Sequence, residues 1–298
     1  GAAAPPPAAA PAVPVPAVPP PEPAVVAPAA GDDSAHATTP ATTPTTPTAP
    51  TTPTTTTTRN CPGSAHQPSL FCFSVAETAV EMNIMKESLK IGAGIFGCNG
   101  FAVISDHKEQ VGGSEKCGEV FSWVNQVPKV GMGTYGKGGQ TTDSWLNTYA
   151  FIYAWDSLMN SGHLEKHQWV VKADPDCVMI ADRVRDHVRP HTGKPVYFQN
   201  CDFQGPKIFG SIEVFSKEAI MAYKANVDRC KGMEWHGWGE DTYMQRCMDL
   251  LRVAGVSDYS LVGDGRCSYA PCTDKSRAAF HPFKDLGSWL ACHEQSSQ

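Results

Sequence analysis

From Cys61 onward short apolar runs alternate with longer amphipathic stretches, a rhythm that favours an α/β sandwich over an all-β or all-α domain. The run "SLFCFSV" (69–75) reads as a buried strand, the stretch to Leu89 as a weaker helix and "FAVIS" (101–105) as a second strand, a βαβ opening. "TTDSWLNTYAFIYAWDSLMNSG" (141–162) sets Trp145, Tyr149, Ile152, Trp155 and Met159 at three- and four-residue steps behind candidate N-caps Thr142 and Asp143, and predicts the strongest helix. It feeds "QWVVKADPD", an apolar strand that stops at two carboxylates. "KPVYFQ" (194–199) and "KIFGSIEVF" (207–215) read as further strands. "SKEAIMAYKANV" (216–227) reads as a helix capped by Ser216 with Ile220, Tyr223 and Val227 on one side, and "EDTYMQRCMDLLRV" (240–253) as a helix with Met244, Cys247, Met248 and Leu251 facing the core.

Ahead of this module, Pro, Ala and Thr make up 46 of the first 58 residues. Such a composition buries too little apolar surface to offset chain entropy, so residues 1–58 are expected to form a disordered, polyproline-like stalk. Thr clustered beside Pro is the composition of mucin-like stems, and a plain linker is the alternative. The remaining residues 59–298 hold 24 basic against 27 acidic side chains. That near balance argues against a nucleic-acid partner, which needs a basic footprint. No run of about 18 apolar residues is present, so no segment reads as a membrane span.

All 11 cysteines lie after residue 58, and no Cys-x-x-Cys pair occurs. Disulfides in an oxidising compartment are the simpler reading; a metal knot of Cys267 and Cys272 with His281 and His293 is the alternative. An odd count leaves at least one thiol outside an intrachain bridge.

Asp174-Pro175-Asp176 is the most informative constellation. Carboxylates leaving a buried strand together project into the crevice where α/β sheets bind ligands. Two hard oxygens there suit Mn²⁺ or Mg²⁺ bridging to a diphosphate, although an isolated Asp-x-Asp also occurs in solvated turns. Glu240-Asp241 opens a helix, which suits the helix dipole; Asp241 is also a candidate general base. Trp235 and Trp238 in "MEWHGWG" can stack on a sugar ring or pack in the core. His281, in "AAFHPF", is a structural histidine or a third metal ligand. The loop "GMGTYGKGGQTT" (131–142) offers Lys137 as a phosphate cover or acts as a mobile lid, and lacks the Gly-Lys-Ser/Thr end of a P-loop. No nucleophile elbow, His-Glu-x-x-His helix or dinucleotide-binding turn is present.

Three stretches in one order, "WVVKADPDCVMIADRVRDHV", "FSKEAIMAY…DRC…EDTYMQRCMDLLRV" and "FHPF", resemble the β1,3-glycosyltransferase group that includes core-1 β1,3-galactosyltransferase and the fringe enzymes. The likeness spans about 141–283. Two departures stand out: Pro175 replaces the middle Asp of the family triplet, and "FGSIEVFSKEA" lacks the Gly-Gly-Ala-Gly before the family helix.

The resemblance implies a GT-A glycosyltransferase-type, Rossmann-like fold for 59–298, with 1–58 as its stem. It implies a UDP-sugar donor, Mn²⁺ or Mg²⁺ held by Asp174, Asp176 and His281, and Asp241 as the base that deprotonates the acceptor hydroxyl. Lys172, Asp174 and Asp106, the last directly after "FAVIS", are expected on the donor side, and Glu240, Trp238 and Trp235 on the acceptor side. A Cys230–Cys247 disulfide is implied as well. The function so implied is a metal-dependent inverting transferase moving galactose or a related hexose to a hydroxyl of a glycan or glycoprotein in β1,3 linkage. The implied setting is the Golgi lumen, with a membrane anchor preceding Gly1, or secretion. The competing reading is an inactive lumenal or secreted glycan-binding protein on the same fold.

Overall fold

The computed structural model describes residues 66–114, 118–129, 131–133, 145–202 and 205–298. Residues 1–58, Lys137 with residues 134–142 of its loop, the candidate caps Thr142 and Asp143, Cys61 and Cys117 lie outside the described residues.

β1 (Leu70–Val75) is buried throughout. Its alternation sends Leu70 and Cys72 to one hydrophobic cluster and Phe71, Phe73 and Val75 to another, so apolar layers cover both faces of the sheet. α1 (Ala79–Ile91) starts at a capping box: Thr78 Oγ1 accepts from Glu81 N at 3.2 Å while Glu81 Oε2 accepts from Thr78 N at 2.9 Å. It ends at Gly92, whose φ of 67° is left-handed. β2 (Gly100–Ser105) then pairs parallel with β1. β3 (Gln110–Ser114) and β4 (Gly118–Phe121) form an antiparallel ribbon, and β5 (Trp123–Val124) extends the sheet beside β2.

α2 (Thr148–Asn160) begins later than its periodicity predicts. The preceding Asn147 does not cap the helix, because its side-chain oxygen accepts from the backbone N–H of Glu240 at 3.1 Å. Trp145 sits in a bridge to Met132 rather than on the helix. The buried face carries Phe151, Ile152, Trp155, Leu158 and Met159, whereas Tyr149 points outward. β6 (Trp169–Ala173), β7 (Val178–Met179), α3 (Ala181–Val188) and β8 (Val196–Gln199) follow. β9 (Ile212–Ser216) is shorter than the predicted 207–215. Ahead of it the Lys207 and Ile208 N–H groups donate to the Gln245 side chain, and Phe209 N donates to Asn200 Oδ1 at 2.7 Å, which withdraws them from the ladder. α4 (Lys217–Ala225) is capped by Ser216, whose Oγ accepts from Ala219 N at 3.1 Å. α5 (Val227–Lys231), α6 (Glu240–Leu250), β10 (Ala254–Ser257), β11 (Val262–Gly263), β12 (Ala279–Phe280) and α7 (Leu286–Ser297) complete the described strands and α-helices.

The main sheet runs β10-β8-β9-β6-β1-β2-β5, with β9 antiparallel to both of its neighbours and the other pairs parallel. α1, α3 and α7 cover one face through Met82, Met85, Val184 and Trp289. α2, α4 and α6 cover the other through Trp155, Leu158, Ile220, Tyr243 and Met244. This is the α/β layered sandwich expected from the alternating pattern.

Disulfides join Cys72–Cys98, Cys201–Cys267, Cys230–Cys247 and Cys272–Cys292, and Cys177 is a buried free thiol. The Cys230–Cys247 pairing implied by the resemblance is present, tying α5 to α6. The metal knot falls, because Cys267 and Cys272 are bridged to other cysteines. These bridges point to an oxidising compartment, the lumen of the secretory pathway. No helix among the described residues is long and apolar enough to cross a membrane.

Cys230 and Cys247 are 17 residues apart, and opening so short a loop costs about 3 kcal/mol of stability. The Cys230→Ser/Cys247→Ser double variant should therefore unfold at clearly lower urea concentration. A midpoint equal to that of the wild type would show that the bridge does not constrain the unfolded chain.

Candidate active site

β6 ends at Ala173, and Asp174-Pro175-Asp176-Cys177 turns the chain into β7, with Cys177 N donating to Asp174 O at 3.0 Å. Pro175 lies at the second position of this turn, where its fixed φ is suited and no backbone donor is needed. The departure from the family triplet is thus compatible with the backbone, and both flanking carboxylates are kept. Asp174 N donates to Ser211 O at 3.0 Å, fixing the turn against the chain that leads into β9.

His281 reaches this turn through a small second sheet, β11-β12-β7. β12 runs antiparallel to β7, with Phe280 opposite Val178, which carries the next residue, His281, to the Asp176 end. Phe283 N donates to Asp176 O at 2.9 Å and clamps the crossing. One ligand atom from each of Asp174, Asp176 and His281 can be chosen so that all lie within 4.8 Å of one another. β11 runs parallel to β12 and brings Asp264 alongside, 2 % exposed. Its Oδ2 stands 2.6 Å from His281 Nδ1, which leaves Nε2 facing Asp176 Oδ2 at 3.4 Å. A carboxylate behind a histidine sets its tautomer and ring orientation, as in metal centres. Asp264 has no motif of its own in the sequence; only the pairing of two-residue strands reveals it.

Asp176 Oδ2 is buried, with the Lys284 ammonium in contact and His281 Nε2 at 3.4 Å as its cationic neighbours. Burial opposes charge on Asp176, yet these neighbours prevail and hold its pKa down to about 2. Burial likewise opposes charge on His281, but the hydrogen bonds to Asp176 and Asp264 raise it to about 9. Two carboxylates and one imidazole converging at one point fit a divalent cation such as Mn²⁺ or Mg²⁺.

Strand alternation turns Lys172 to the α2/α6 face, where it is 0 % exposed. Its ammonium meets Asp174 Oδ1 at 2.7 Å, Glu240 Oε1 at 2.5 Å, Gly210 O at 2.6 Å and Glu213 Oε1 at 3.5 Å. It also lies 4.6 Å from the centre of the Phe151 ring. Burial disfavours the ammonium, but the surrounding carboxylates hold its pKa well above the ordinary lysine value. Glu213, its cross-strand partner in register, is 1 % exposed, and burial drives its own pKa far upward. Gly210 is needed for close approach: a Cβ there would lie 2.8 Å from Glu240 Oε1. It occupies the segment that lacks the family's glycine run.

Asp241 is the second residue of α6, beside this cluster. Its Oδ2 accepts from Gly210 N at 3.2 Å and its Oδ1 from Thr242 N at 2.6 Å. Burial, reinforced by the Glu240 charge, pushes its pKa up to about 7. A carboxylate tuned to neutrality is suited to accept a proton. Trp235 and Trp238 are half-buried and pack against the α2/α4/α6 cluster. The Trp235 indole donates to Lys231 O at 3.0 Å. Asp106 stands apart from the cluster. It follows β2, two strands from β6 and so about 10 Å across the sheet, and its carboxylate is bound to His107 Nδ1 at 2.5 Å. The residues on either side of it, Ser105 and His107, line a cleft of about 570 Å³ with Glu77 and Lys86.

Replacing Lys172 leaves several buried carboxylates without their cation, a change that costs about 3–5 kcal/mol. Lys172→Met should lower unfolding stability by that amount in urea titrations at neutral pH. A loss below about 1 kcal/mol would show that the carboxylates neutralise themselves by protonation.

No known family model matches the chain. Glycoprotein-N-acetylgalactosamine 3-beta-galactosyltransferase 1 of Xenopus laevis is 29% identical over 164 residues, which cover 52% of this chain and 39% of that protein. The chain thus spans well under two thirds of the length of that relative. Among solved structures, a glycosyltransferase involved in the glycosylation of the major capsid of PBCV-1 is similar with 9% identity and a TM-score of 0.44, covering 76% of this chain and 100% of that one. The resemblance to the β1,3-glycosyltransferase group read from the motifs is matched by similarity to a curated β1,3-galactosyltransferase over about half of the chain.

Proposed function

We propose that this chain is a metal-dependent inverting glycosyltransferase. It transfers galactose or a related hexose from a UDP-sugar to a hydroxyl of a glycan or glycoprotein, in β1,3 linkage, in the Golgi lumen or after secretion. The observation that carries the reading is the convergence of Asp174, Asp176 and His281 at the C-terminal edge of a mostly parallel sheet, beside a carboxylate poised near neutrality. The sequence relative is named for transfer to N-acetylgalactosamine on glycoproteins, which supports both the donor class and the acceptor class.

Asp174, Asp176 and His281 would hold Mn²⁺ or Mg²⁺. When bound, the ion supplies positive charge that offsets negative charge building on the departing diphosphate. Asp264 keeps the His281 ring oriented with Nε2 inward. Lys172 fixes Asp174 and Glu240 in one frame, and Gly210 links that frame to Asp241. Asp241 accepts the proton of the acceptor hydroxyl as its oxygen attacks the anomeric carbon, and the sugar–diphosphate bond breaks with its electron pair leaving on the diphosphate. Single displacement inverts the anomeric centre and needs no covalent sugar–enzyme intermediate.

Calorimetric titration of the chain with UDP should show binding in Mn²⁺ that disappears in chelator. Asp174→Ala should abolish the Mn²⁺-dependent heat. Unchanged binding by that variant would remove the metal–diphosphate site, and glycan binding without any UDP binding would favour an inactive lectin-like protein.

The pH dependence follows from Asp241. Its raised pKa means that the base is protonated below about 7 and free above it. Transfer under saturating donor should climb with pH and level off above about 8, with the rate at pH 5 about a hundredfold below the plateau. Asp241→Asn should retain UDP binding but lose transfer; equal loss of both would make Asp241 a structural residue.

A further inference from the structure

On the Lys172 side of the sheet, the outer face of α2 carries aromatic rings that the core does not use. Tyr149 is 45 % exposed. One turn later on the same face, Tyr153 meets it edge to face, with ring centroids 4.9 Å and phenol oxygens 2.7 Å apart. Tyr149 also stacks on Trp235, centroids 6.2 Å apart and planes 20° from parallel, and Trp235 stacks on His236 at 4.1 Å. Trp145, 54 % exposed, precedes the same helix end. An outer helix face ordinarily carries polar side chains. Here it carries rings already braced on one another, so little ordering remains to be done when a ligand arrives.

The rings share a frame with Asp241. Asn147, two residues before Tyr149, accepts from Glu240 N at 3.1 Å, and Thr148 Oγ1 donates to Trp238 O at 2.8 Å. Both bonds lock the start of α2 to the start of α6, where Asp241 stands. Each tyrosine combines an apolar ring with a hydroxyl at its tip, the pattern that matches a pyranose, whose C–H face is apolar and whose rim is polar.

We propose that Tyr149, Tyr153 and Trp235 form the platform that receives the sugar ring of the acceptor. Its C–H face lies against the aromatic rings, and its hydroxyls hydrogen-bond to the phenol oxygens. This rests on the glycosyltransferase reading above, in which the acceptor hydroxyl must come within reach of Asp241.

The test is saturation-transfer NMR on the full chain in chelator, with the methyl glycosides of galactose, N-acetylgalactosamine, glucose and N-acetylglucosamine as probes. At least one glycoside should receive saturation from the wild type. Tyr149→Ala should weaken that affinity about fivefold to tenfold, and Tyr149→Phe, which keeps the ring, should lose less. Near-ultraviolet circular dichroism reports whether each variant is folded, and Trp235→Ala provides a second probe of the same platform. Absence of transfer to every glycoside, or equal transfer in wild type, Tyr149→Ala and Trp235→Ala, overturns the platform. UDP titration of the wild type in Mn²⁺ reports the donor site separately, so failure of the platform and failure of the transferase reading are told apart.

Discussion

An ammonium group sealed from water has to be neutralised where it stands, and Lys172 imposes that condition on the centre of this fold. Its partners come from separate parts of the chain: Asp174 from the end of its own strand, Glu213 from the antiparallel neighbour and Glu240 from the first turn of α6. Each of these positions is thereby fixed relative to the others. Asp174 is held at the C-terminal end of β6, and α6 is drawn in until Asp241 meets Gly210. The same desolvation that makes Lys172 depend on its carboxylates raises Asp241 toward neutrality. Stability of the core and tuning of the site are therefore one electrostatic arrangement.

Around that centre, small devices set the geometry. The β11-β12-β7 sheet has strands of two residues, yet its register decides that His281 and Asp264 arrive beside Asp176. Cys201–Cys267 fastens the loop that follows Asp264, and Cys272–Cys292 fastens the segment before β12 to α7. Short irregular segments have few apolar contacts of their own, so covalent ties do here what a core does elsewhere. On the opposite side of Lys172, Asn147 gives up capping α2 to bind α6, which ties the aromatic face of α2 to the candidate base.

Much of this was legible in one dimension. Continuous apolar runs marked β1 and β6, the Ser216 cap marked α4, and a strand stopping at Asp-Pro-Asp marked a pair of strand-end carboxylates, because each signal is local and rests on backbone geometry or side-chain spacing. His281 and Asp241 were candidates from their own settings, and the family resemblance implied their roles and the Cys230–Cys247 bridge. Other features were hidden because they depend on partners distant in sequence. Trp145 has the right spacing for α2 but is pulled into a bridge with Met132, and Lys207 and Ile208 look like strand until Gln245 claims their N–H groups. Asp106 ends an apolar strand much as Asp174 does, yet sheet order sets it two strands away and His107 occupies its carboxylate.

The sequence by itself determined the α/β class, the strand-end carboxylates and the cysteine supply, since composition and periodicity act over a few residues at a time. Tertiary structure alone decided that Glu213 and Glu240 would share one lysine, that Asp264 would stand behind His281 and that Gly210 would leave room for Glu240. Those outcomes depend on register and burial, which exist only after distant segments have paired and water has left.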